Sequence, residues 1–177
     1  VEYDGSHFHG WQSQSGVTTV QDLLESALSS VAAEPVRVVT AGRTDTGVHA
    51  SGQVAHFDTE AERTTLNWVR GANTNLPGGV ALTWAKEVDR GFHARFSALS
   101  RKYRYILFCR DVRPTYLAKR VSWTYECLDV QRMRAAAACL EGRHDFSAFR
   151  ASGCQAKQPV REIHELTVNN VGPWIWI

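Results

Sequence analysis

The stretch AGRTDTGVHASGQ at residues 41 to 53, called here the Asp45 loop, concentrates side chains that can do chemistry. Arg43 and Asp45 are two positions apart, so in an extended segment both project to the same side. Gly42 and Gly47 permit backbone angles that other residues avoid, and they let the backbone approach a ligand closely. A carboxylate paired with a guanidinium is held ionised, and an ionised carboxylate can act as a nucleophile.

The same residues also have a purely structural interpretation. An aspartate in a loop flanked by glycines often organises a turn through an Asx hydrogen bond to its own backbone. Arg43 would then be only its surface partner. Taken alone, the Asp45 loop favours this interpretation, so the chemical one depends on the rest of the chain.

The elements around the Asp45 loop are predicted from apolar periodicity. Thr18 and Gln21 have the form of a capping box, and Pro35 ends the helix that follows. One face of this helix is apolar: Val20, Leu23, Leu24, Ala27, Leu28 and Val31. A second helix is predicted from Thr65 to about Ala72. Strands are predicted in VEYDG, VRVVTA, QVAHFDT and VALTWAKEV, which gives the β-α-β-β-α-β order of a ferredoxin-like split βαβ fold.

The pattern begins again after the connector DRGFHARFSA. Asp129 is predicted to cap a helix with an apolar side formed by Val130, Met133, Ala137 and Leu140. Strands are predicted in SRKYRYILFC, REIHELTVNN and WIWI. We therefore predict an α+β fold of two ferredoxin-like halves, residues 1–95 and 96–177, of which the second lacks its closing α-β. VEYDG opens within a strand and WIWI would leave apolar strand surface uncovered, so we expect the intact protein to extend beyond both ends.

Composition narrows the class of protein. The chain has 177 residues, 44% of them hydrophobic, which is ample for a core. It has no apolar run long enough to span a membrane and no secretion signal, so we expect a cytoplasmic protein. Residues 1–100 carry 7 Lys and Arg against 11 Asp and Glu, whereas residues 101–177 carry 13 against 7. The basic second half is typical of a surface that binds a polyanion, or of an ordinary solvated face.

The cysteines have no spacing that indicates a metal site. They lie at positions 109, 127, 139 and 154, without CxxC or Cys/His pairs. In a reducing compartment we expect them to be buried thiols.

Five segments, in this order and at these separations, resemble the TruA family of tRNA pseudouridine synthases: EYDGSHFHGWQSQ, AGRTDTGVHASGQVAHF, NTNLPGGVA, FHARFSALSRKYRYILF and GRHDFSAFR. The GRTD-x-GVHA element is the most specific of them. The resemblance implies two ferredoxin-like halves forming a continuous antiparallel sheet, with helices on one face and a central cleft. It implies isomerisation of uridine to pseudouridine in the anticodon stem-loop of tRNA, by a homodimer without cofactor or metal. It also implies a further segment, beyond Ile177, that completes the pocket.

The resemblance assigns roles to three residues. Asp45 matches the catalytic aspartate, which attacks uracil C6, attacks C1′, or assists loss of the C2′ proton. Arg43 would occupy the space left by a flipped uridine and pair with Asp45, although it is also suited to a phosphate contact. Tyr103 would lie against the flipped uracil. An aromatic residue in a strand is ordinarily core, and Tyr105, on the same face, keeps that interpretation.

The other motif residues have smaller predicted roles. Phosphate contacts are expected from Arg101, Lys102, Arg104, Lys119, Arg120 and Arg150, each of which alone resembles ordinary surface. His49 and His56 lack metal-ligand spacing and are expected to hydrogen-bond locally. Asp4, Gly5 and the HGWQSQ loop are expected to shape the RNA entrance, with Trp11 packing rather than stacking on a base. His144, Asp145 and Phe146 are predicted in a loop that borders the tRNA.

Two other functions are open at this point. Ferredoxin-like sheets also serve as non-catalytic RNA-binding domains, although no RNP-type motif is evident. A hydrolase with Asp45 as base would need a second acid, for which Asp58 is the nearest strand residue.

Overall fold

Residues 1–150 and 158–177 are described by a computed structural model of the chain. These residues divide into two compact units, Val1–Arg101 and Lys102–Ile177, and both combine helices with strands. The chain is therefore an α+β protein, as predicted. The assignment of residues 1–95 and 96–177 to two ferredoxin-like halves stays a prediction.

Helix α1 (Val20–Ala32) begins one residue later than its capping box predicts. Its cap is Thr19, whose hydroxyl oxygen accepts a hydrogen bond from the Asp22 backbone N–H at 3.3 Å. The Thr19 hydroxyl also donates to the Asp22 carboxylate at 2.5 Å. Thr18 and Thr19 are adjacent, so the sequence pattern fitted a cap at either position. The hydrogen bond to the Asp22 carboxylate favours Thr19. The helix ends at Ala32, with Ala33 in the left-handed region at φ 60°.

The first unit shows the predicted order of elements. It contains β1 (Glu2–Tyr3), β2 (Val39–Thr40), β3 (Ala55–His56), helix α2 (Thr65–Asn75) and β4 (Val80–Ala81). Strand β1 pairs antiparallel with β4, and β2 pairs antiparallel with β3. On its other side Tyr3 forms an antiparallel bridge with Ala50. The ladders are shorter than the predicted strands, so β1 is fixed from both sides by only a few backbone hydrogen bonds.

The core of the first unit lies under α1. Val20, Leu24 and Leu28 are almost fully buried, and Trp11 from the N-terminal segment is 1% exposed. Helices α1 and α2 approach closely at Gly71. A Cβ added there would lie 2.7 Å from the Val31 side chain. The apolar face predicted from helical spacing is the face that packs.

Glu25 is an exception on that helix. Its carboxylate is buried, and it accepts hydrogen bonds from the Arg37 guanidinium at 2.6 Å and from the Val38 N–H at 3.0 Å. A buried carboxylate requires such partners. Glu25 therefore ties α1 to the segment leading into β2.

The second unit departs from its prediction. Its elements are β5 (Ile106–Cys109), β6 (Ser122–Thr124), helix α3 (Val130–Ala138), β7 (Gly142–Asp145), β8 (Val160–Ile163), β9 (Asn169–Val171) and β10 (Trp174–Trp176). One sheet has the order β6-β5-β10-β9, with β5 and β6 parallel and the other pairs antiparallel. A second sheet pairs β7 with β8. Strands β6 and β7 are additional to the predicted β-α-β-β order, and the expectation of an entirely antiparallel sheet is wrong for this unit because β5 and β6 are parallel.

Several local predictions in the second unit change accordingly. REIHELTVNN forms two strands in different sheets rather than one strand. His144 and Asp145 lie in β7 and not in a loop. Asp129 caps α3 as predicted, accepting from the N–H groups of residues 131 and 132, but the helix ends before Leu140. Tyr105 is not core, since it is 55% exposed and its hydroxyl accepts from the Ser122 hydroxyl at 2.6 Å.

The cysteines are less buried than predicted. Cys127 and Cys139 are exposed and Cys109 is half-buried, all as free thiols, while Cys154 lies outside the described residues. Partial burial raises the pKa of the Cys109 thiol above its ordinary value, and the neighbouring Cys127 adds to the effect. Within the described ranges, no helix has the length and apolar character that crossing a membrane requires.

The core of the first unit can be tested at a leucine of α1. Leu24 is 1% exposed, so Leu24→Ala should lower the free energy of unfolding by about 2–5 kcal/mol through lost burial and a cavity. Leu66, in α2, is 53% exposed, and Leu66→Ala should change the free energy by no more than about 0.5 kcal/mol. Urea denaturation of both variants measures the difference, and equal losses would contradict the packing described.

Candidate active site

Exposure alternates along residues 43 to 45 of the Asp45 loop. Thr44 points inward, where its hydroxyl lies 2.8 Å from the Tyr3 hydroxyl, within a hydrogen bond. Arg43 and Asp45, on either side of it, are both exposed. In extended backbone, successive side chains project to opposite faces. Arg43 and Asp45 are thus exposed on either side of a half-buried Thr44, and their sharing of one side stays a prediction.

Backbone groups, and not the Asp45 carboxylate, close the turn that follows. The Val48 N–H donates to the Asp45 backbone carbonyl at 3.1 Å, and Gly47 takes the left-handed conformation at φ 81°. Among the residues that the structure describes, the Asp45 carboxylate takes part in no recorded hydrogen bond or ion pair. The Asx-turn interpretation of Asp45 thus lacks its defining bond. The pairing of Asp45 with Arg43 stays a prediction.

The N-terminal arm, residues 4 to 11, packs its backbone directly on the Asp45 loop. Gly10 lies at φ 84°, and a Cβ there would sit 2.8 Å from the Thr44 carbonyl oxygen. The next residue, Trp11, donates its N–H to that carbonyl at 2.9 Å. A Cβ at Gly5 would overlap the carbonyl of Val48. Only glycine allows this approach, so both glycines are required where the arm meets the loop.

The start of the loop is held from another direction. The Gln53 side-chain amide donates to the Gly42 carbonyl at 2.6 Å. The Arg101 guanidinium donates to the Ala41 carbonyl through Nε at 3.0 Å and Nη2 at 2.6 Å, and to the Arg95 carbonyl at 3.3 Å. These contacts give Arg101 an anchoring role that its sequence pattern did not indicate. Its predicted phosphate contact stays a prediction.

Histidines near the loop hydrogen-bond locally, as predicted. His49 Nδ1 lies 3.2 Å from an Asp4 carboxylate oxygen that also accepts from the Ser6 N–H at 3.0 Å. His56 Nδ1 accepts from the Ala94 N–H at 3.1 Å. Within residues 1–150 and 158–177, no three His, Cys, Asp or Glu side chains are grouped so that they could hold a metal ion.

The contact of the N-terminal arm with the Asp45 loop was not predicted from the sequence. Asp4, Gly5 and the HGWQSQ loop were expected at an RNA entrance, and that role stays a prediction. The structure instead shows Gly5 and Gly10 supporting the Asp45 loop. Trp11 is buried, which confirms that it packs. Two glycines near a large buried aromatic could have indicated close backbone packing, although they did not identify the partner.

The remaining predicted residues lie in the second unit. Tyr103 is 74% exposed, and its place beside a flipped uracil stays a prediction. The Arg104 guanidinium lies 5.6 Å from the centre of the Trp176 ring, in a cation–π contact. All five basic residues predicted here to contact phosphate are exposed, and their roles are untested: Lys102, Arg104, Lys119, Arg120 and Arg150.

Asp145 has a structural role. Its carboxylate accepts hydrogen bonds from the Ser147 hydroxyl at 2.6 Å and from the Ser147 N–H at 2.8 Å. These bonds hold the pKa of Asp145 below its ordinary value. The side chain thus organises the turn after β7, and a contact of His144, Asp145 and Phe146 with tRNA stays a prediction.

The chain is thus an α+β protein that presents the exposed carboxylate of Asp45 on a loop held by hydrogen bonds. A family model described as tRNA pseudouridine synthase matches residues 1–97 and 136–176, which include the N-terminal arm and the whole Asp45 loop. The chain therefore belongs to the tRNA pseudouridine synthase family, whose members are isomerases.

Curated relatives point to one branch of that family. The chain is 58% identical over 177 residues to the tRNA pseudouridine synthase A of Nitrosococcus oceani, covering 100% of this chain and 68% of that protein. It is 57% identical to that of Aromatoleum aromaticum, covering 99% of this chain and 66% of the relative. For the Pseudomonas aeruginosa protein of the same name, identity is 54%, over 94% of this chain and 59% of the relative. The chain spans about two thirds of the length of these relatives.

Two glycines with nearly the same backbone angle test the packing of the arm on the loop. Gly10 lies at φ 84° against the Thr44 carbonyl, whereas Gly16 lies at φ 80° with nothing within 4 Å of an added Cβ. Each change to alanine should cost about 1–2 kcal/mol for the left-handed conformation. Gly10→Ala should cost a further 1–3 kcal/mol or so through overlap with the loop.

The free energy of unfolding of both variants, measured in urea, gives this comparison. Equal losses in Gly10→Ala and Gly16→Ala would show that the arm does not press on the Asp45 loop.

Proposed function

We propose that the intact protein is a tRNA pseudouridine synthase that isomerises uridine to pseudouridine in the anticodon stem-loop of tRNA. The observation that carries the proposal is the state of Asp45. Its carboxylate is exposed, lies on a loop anchored at both ends, and is not engaged by the turn that it occupies. Membership of the tRNA pseudouridine synthase family supports the choice of reaction.

The reaction needs a group of this kind. The bond from N1 of the uracil to C1′ of the ribose breaks, the uracil turns, and a bond forms from C5 to C1′. The proton on C5 leaves, N1 gains a proton, and no electrons are exchanged with another molecule. A carboxylate can divide such a displacement into easier steps by forming a temporary bond, or can stabilise a cationic sugar. Asp45 is the residue to which we assign this role.

Access to the uridine requires base flipping. A stacked base cannot reach a side chain on the protein surface, so the target nucleotide must leave its stack. We assign Arg43 to the vacated space, because its planar guanidinium can stack as a base does while forming hydrogen bonds. The exposure of both Arg43 and Asp45 supports this pairing of roles. Tyr103 would lie against the extruded uracil.

The finer architecture belongs to the same proposal. We propose two ferredoxin-like halves that form a continuous sheet with a central cleft, in a cytoplasmic homodimer that acts without cofactor or metal. In the first unit, β1 has β4 on one side and the bridge to Ala50 on the other, which supports the ferredoxin-like order there. The halves and the dimer otherwise depend on family resemblance.

The proposed role of Asp45 predicts the fate of a tritium label. The intact protein should release tritium from tRNA labelled at uridine C5, because C5 loses its hydrogen when the new carbon bond forms. Asp45→Asn should abolish release while leaving the affinity for tRNA within about threefold, since the amide keeps the size of the side chain but is a poor nucleophile.

Asp58→Asn is the matched control, because Asp58 is also exposed and lies on the same unit. It should release label as the unchanged protein does, and loss of release in this variant as well would show that the effect is not specific to Asp45. Release that survives Asp45→Asn would remove Asp45 from the mechanism. Tight tRNA binding without any release by the unchanged protein would instead indicate a non-catalytic RNA-binding domain.

Phosphate binding by the second unit can be measured separately. Lys102 is exposed, so Lys102→Ala should weaken tRNA binding and lower the slope of log Kd against log salt concentration by about one unit. Lys86→Ala, at an exposed site on the first unit, should leave both quantities unchanged. Identical slopes for Lys102→Ala and the unchanged protein would exclude a phosphate contact at Lys102.

A further inference from the structure

The hydroxyl of Tyr3 lies at the centre of the contacts beneath the Asp45 loop. Tyr3 is 4% exposed, and its hydroxyl shares the 2.8 Å hydrogen bond with the Thr44 hydroxyl. The Gln53 side-chain amide, which donates to the Gly42 carbonyl, also lies within hydrogen-bond distance of the Tyr3 hydroxyl at 3.4 Å. The loop is thus held at positions 42 and 44, on both sides of Arg43.

The ring and the hydroxyl of Tyr3 have different roles. The ring packs in the core against Trp11, with the ring centres 6.0 Å apart, and phenylalanine would fill the same space. The hydroxyl adds nothing to that apolar packing, and a buried hydroxyl is tolerated only when it is hydrogen-bonded. Its particular contribution is to hold the Thr44 side chain inward.

The orientation of Thr44 bears directly on Asp45. Thr44 is half-buried and Asp45, the next residue, is exposed, so a Thr44 side chain held inward keeps the Asp45 carboxylate on the outer side of the loop. The Trp11 N–H fixes the Thr44 carbonyl at the same time. Both the main chain and the side chain of Thr44 are therefore bonded to the N-terminal part of the chain.

We propose that the Tyr3 hydroxyl, acting through Thr44, is a positioning group that sets the Asp45 carboxylate for reaction. The inference rests on the proposed function. Tyr3 is buried and does not itself reach the uridine. Loss of its hydroxyl should therefore slow the chemical step without weakening the binding of tRNA.

Single-turnover tritium release by the intact protein at saturating concentration, together with the Kd for tRNA, tests this. Tyr3→Phe and Thr44→Val should each slow release by about tenfold or more, because small displacements of a reacting group have large kinetic effects. Kd should be unchanged in both. Thr44→Ser keeps the hydroxyl and should retain the original rate.

The double variant decides whether the two hydroxyls act together. If they act through one hydrogen bond, Tyr3→Phe with Thr44→Val should be no slower than the slower single variant. Tyr125→Phe and Thr74→Val, at exposed sites away from the Asp45 loop, are matched controls that should keep the original rate. Unchanged rates in both single variants, multiplied losses in the double variant, or a change confined to Kd would each overturn the proposal.

Hydrogen exchange gives a readout that needs no activity. The Trp11 and Val48 amides donate to Thr44 and Asp45, so their exchange in Tyr3→Phe should accelerate by about tenfold. The Ala33 amide, bonded to Ser29 at the end of α1, should exchange as before. If the unchanged protein releases no tritium, the proposed function fails, and the exchange rates still decide whether the Tyr3 hydroxyl orders the loop. Unaltered exchange at Trp11 and Val48 would overturn that ordering role.

Discussion

The path of the Asp45 loop is set by the close approach of two backbone segments. Gly5 and Gly10 bring the N-terminal arm against the carbonyls of Val48 and Thr44, where any larger residue would overlap. Contact of this kind fixes the path of the Asp45 loop through main-chain atoms. Backbone groups and inward-pointing residues hold the loop in place, so the Asp45 carboxylate is not needed to close its own turn.

There is a physical reason for the turn to be closed by backbone groups and not by the Asp45 carboxylate. A carboxylate that also capped its own turn would have to give up that hydrogen bond in order to react, and an unsatisfied turn is costly. In the first unit the Val48 N–H closes the turn on the Asp45 carbonyl, while Gln53 and Arg101 hold the preceding carbonyls. A reacting group that is already held in place needs less rearrangement during the reaction, and the energy barrier is therefore lower.

Prediction from the sequence succeeded where the signals are local. Helical spacing located the buried face of α1, and Asp129 was recognised as the cap of α3. It failed where partners are distant in sequence. The parallel pairing of β5 with β6, and the division of REIHELTVNN between two sheets, depend on non-local hydrogen bonds that no short window contains. A strand pattern also gave no indication that Tyr105 would be exposed.

The candidate site shows the same limit. The family resemblance, and not the Asp45 loop alone, suggested the proposed chemistry. A glycine carries no information about which carbonyl it will meet, so the contacts of Gly5 and Gly10 were not foreseen. Arg101 was expected to contact phosphate because it is basic, and its bonds to the carbonyls of Ala41 and Arg95 were not foreseen. Charge predicts attraction to a polyanion, but only geometry shows which acceptors a side chain already has.

A structure of the intact protein bound to a tRNA anticodon arm would show directly whether the Asp45 carboxylate meets the uridine. We expect an extruded uridine whose C1′ or C6 lies about 3–3.5 Å from an Asp45 carboxylate oxygen, with the N-terminal arm still packed on the loop. A uridine still stacked in the RNA, with the Asp45 carboxylate bonded to its own backbone, would contradict it.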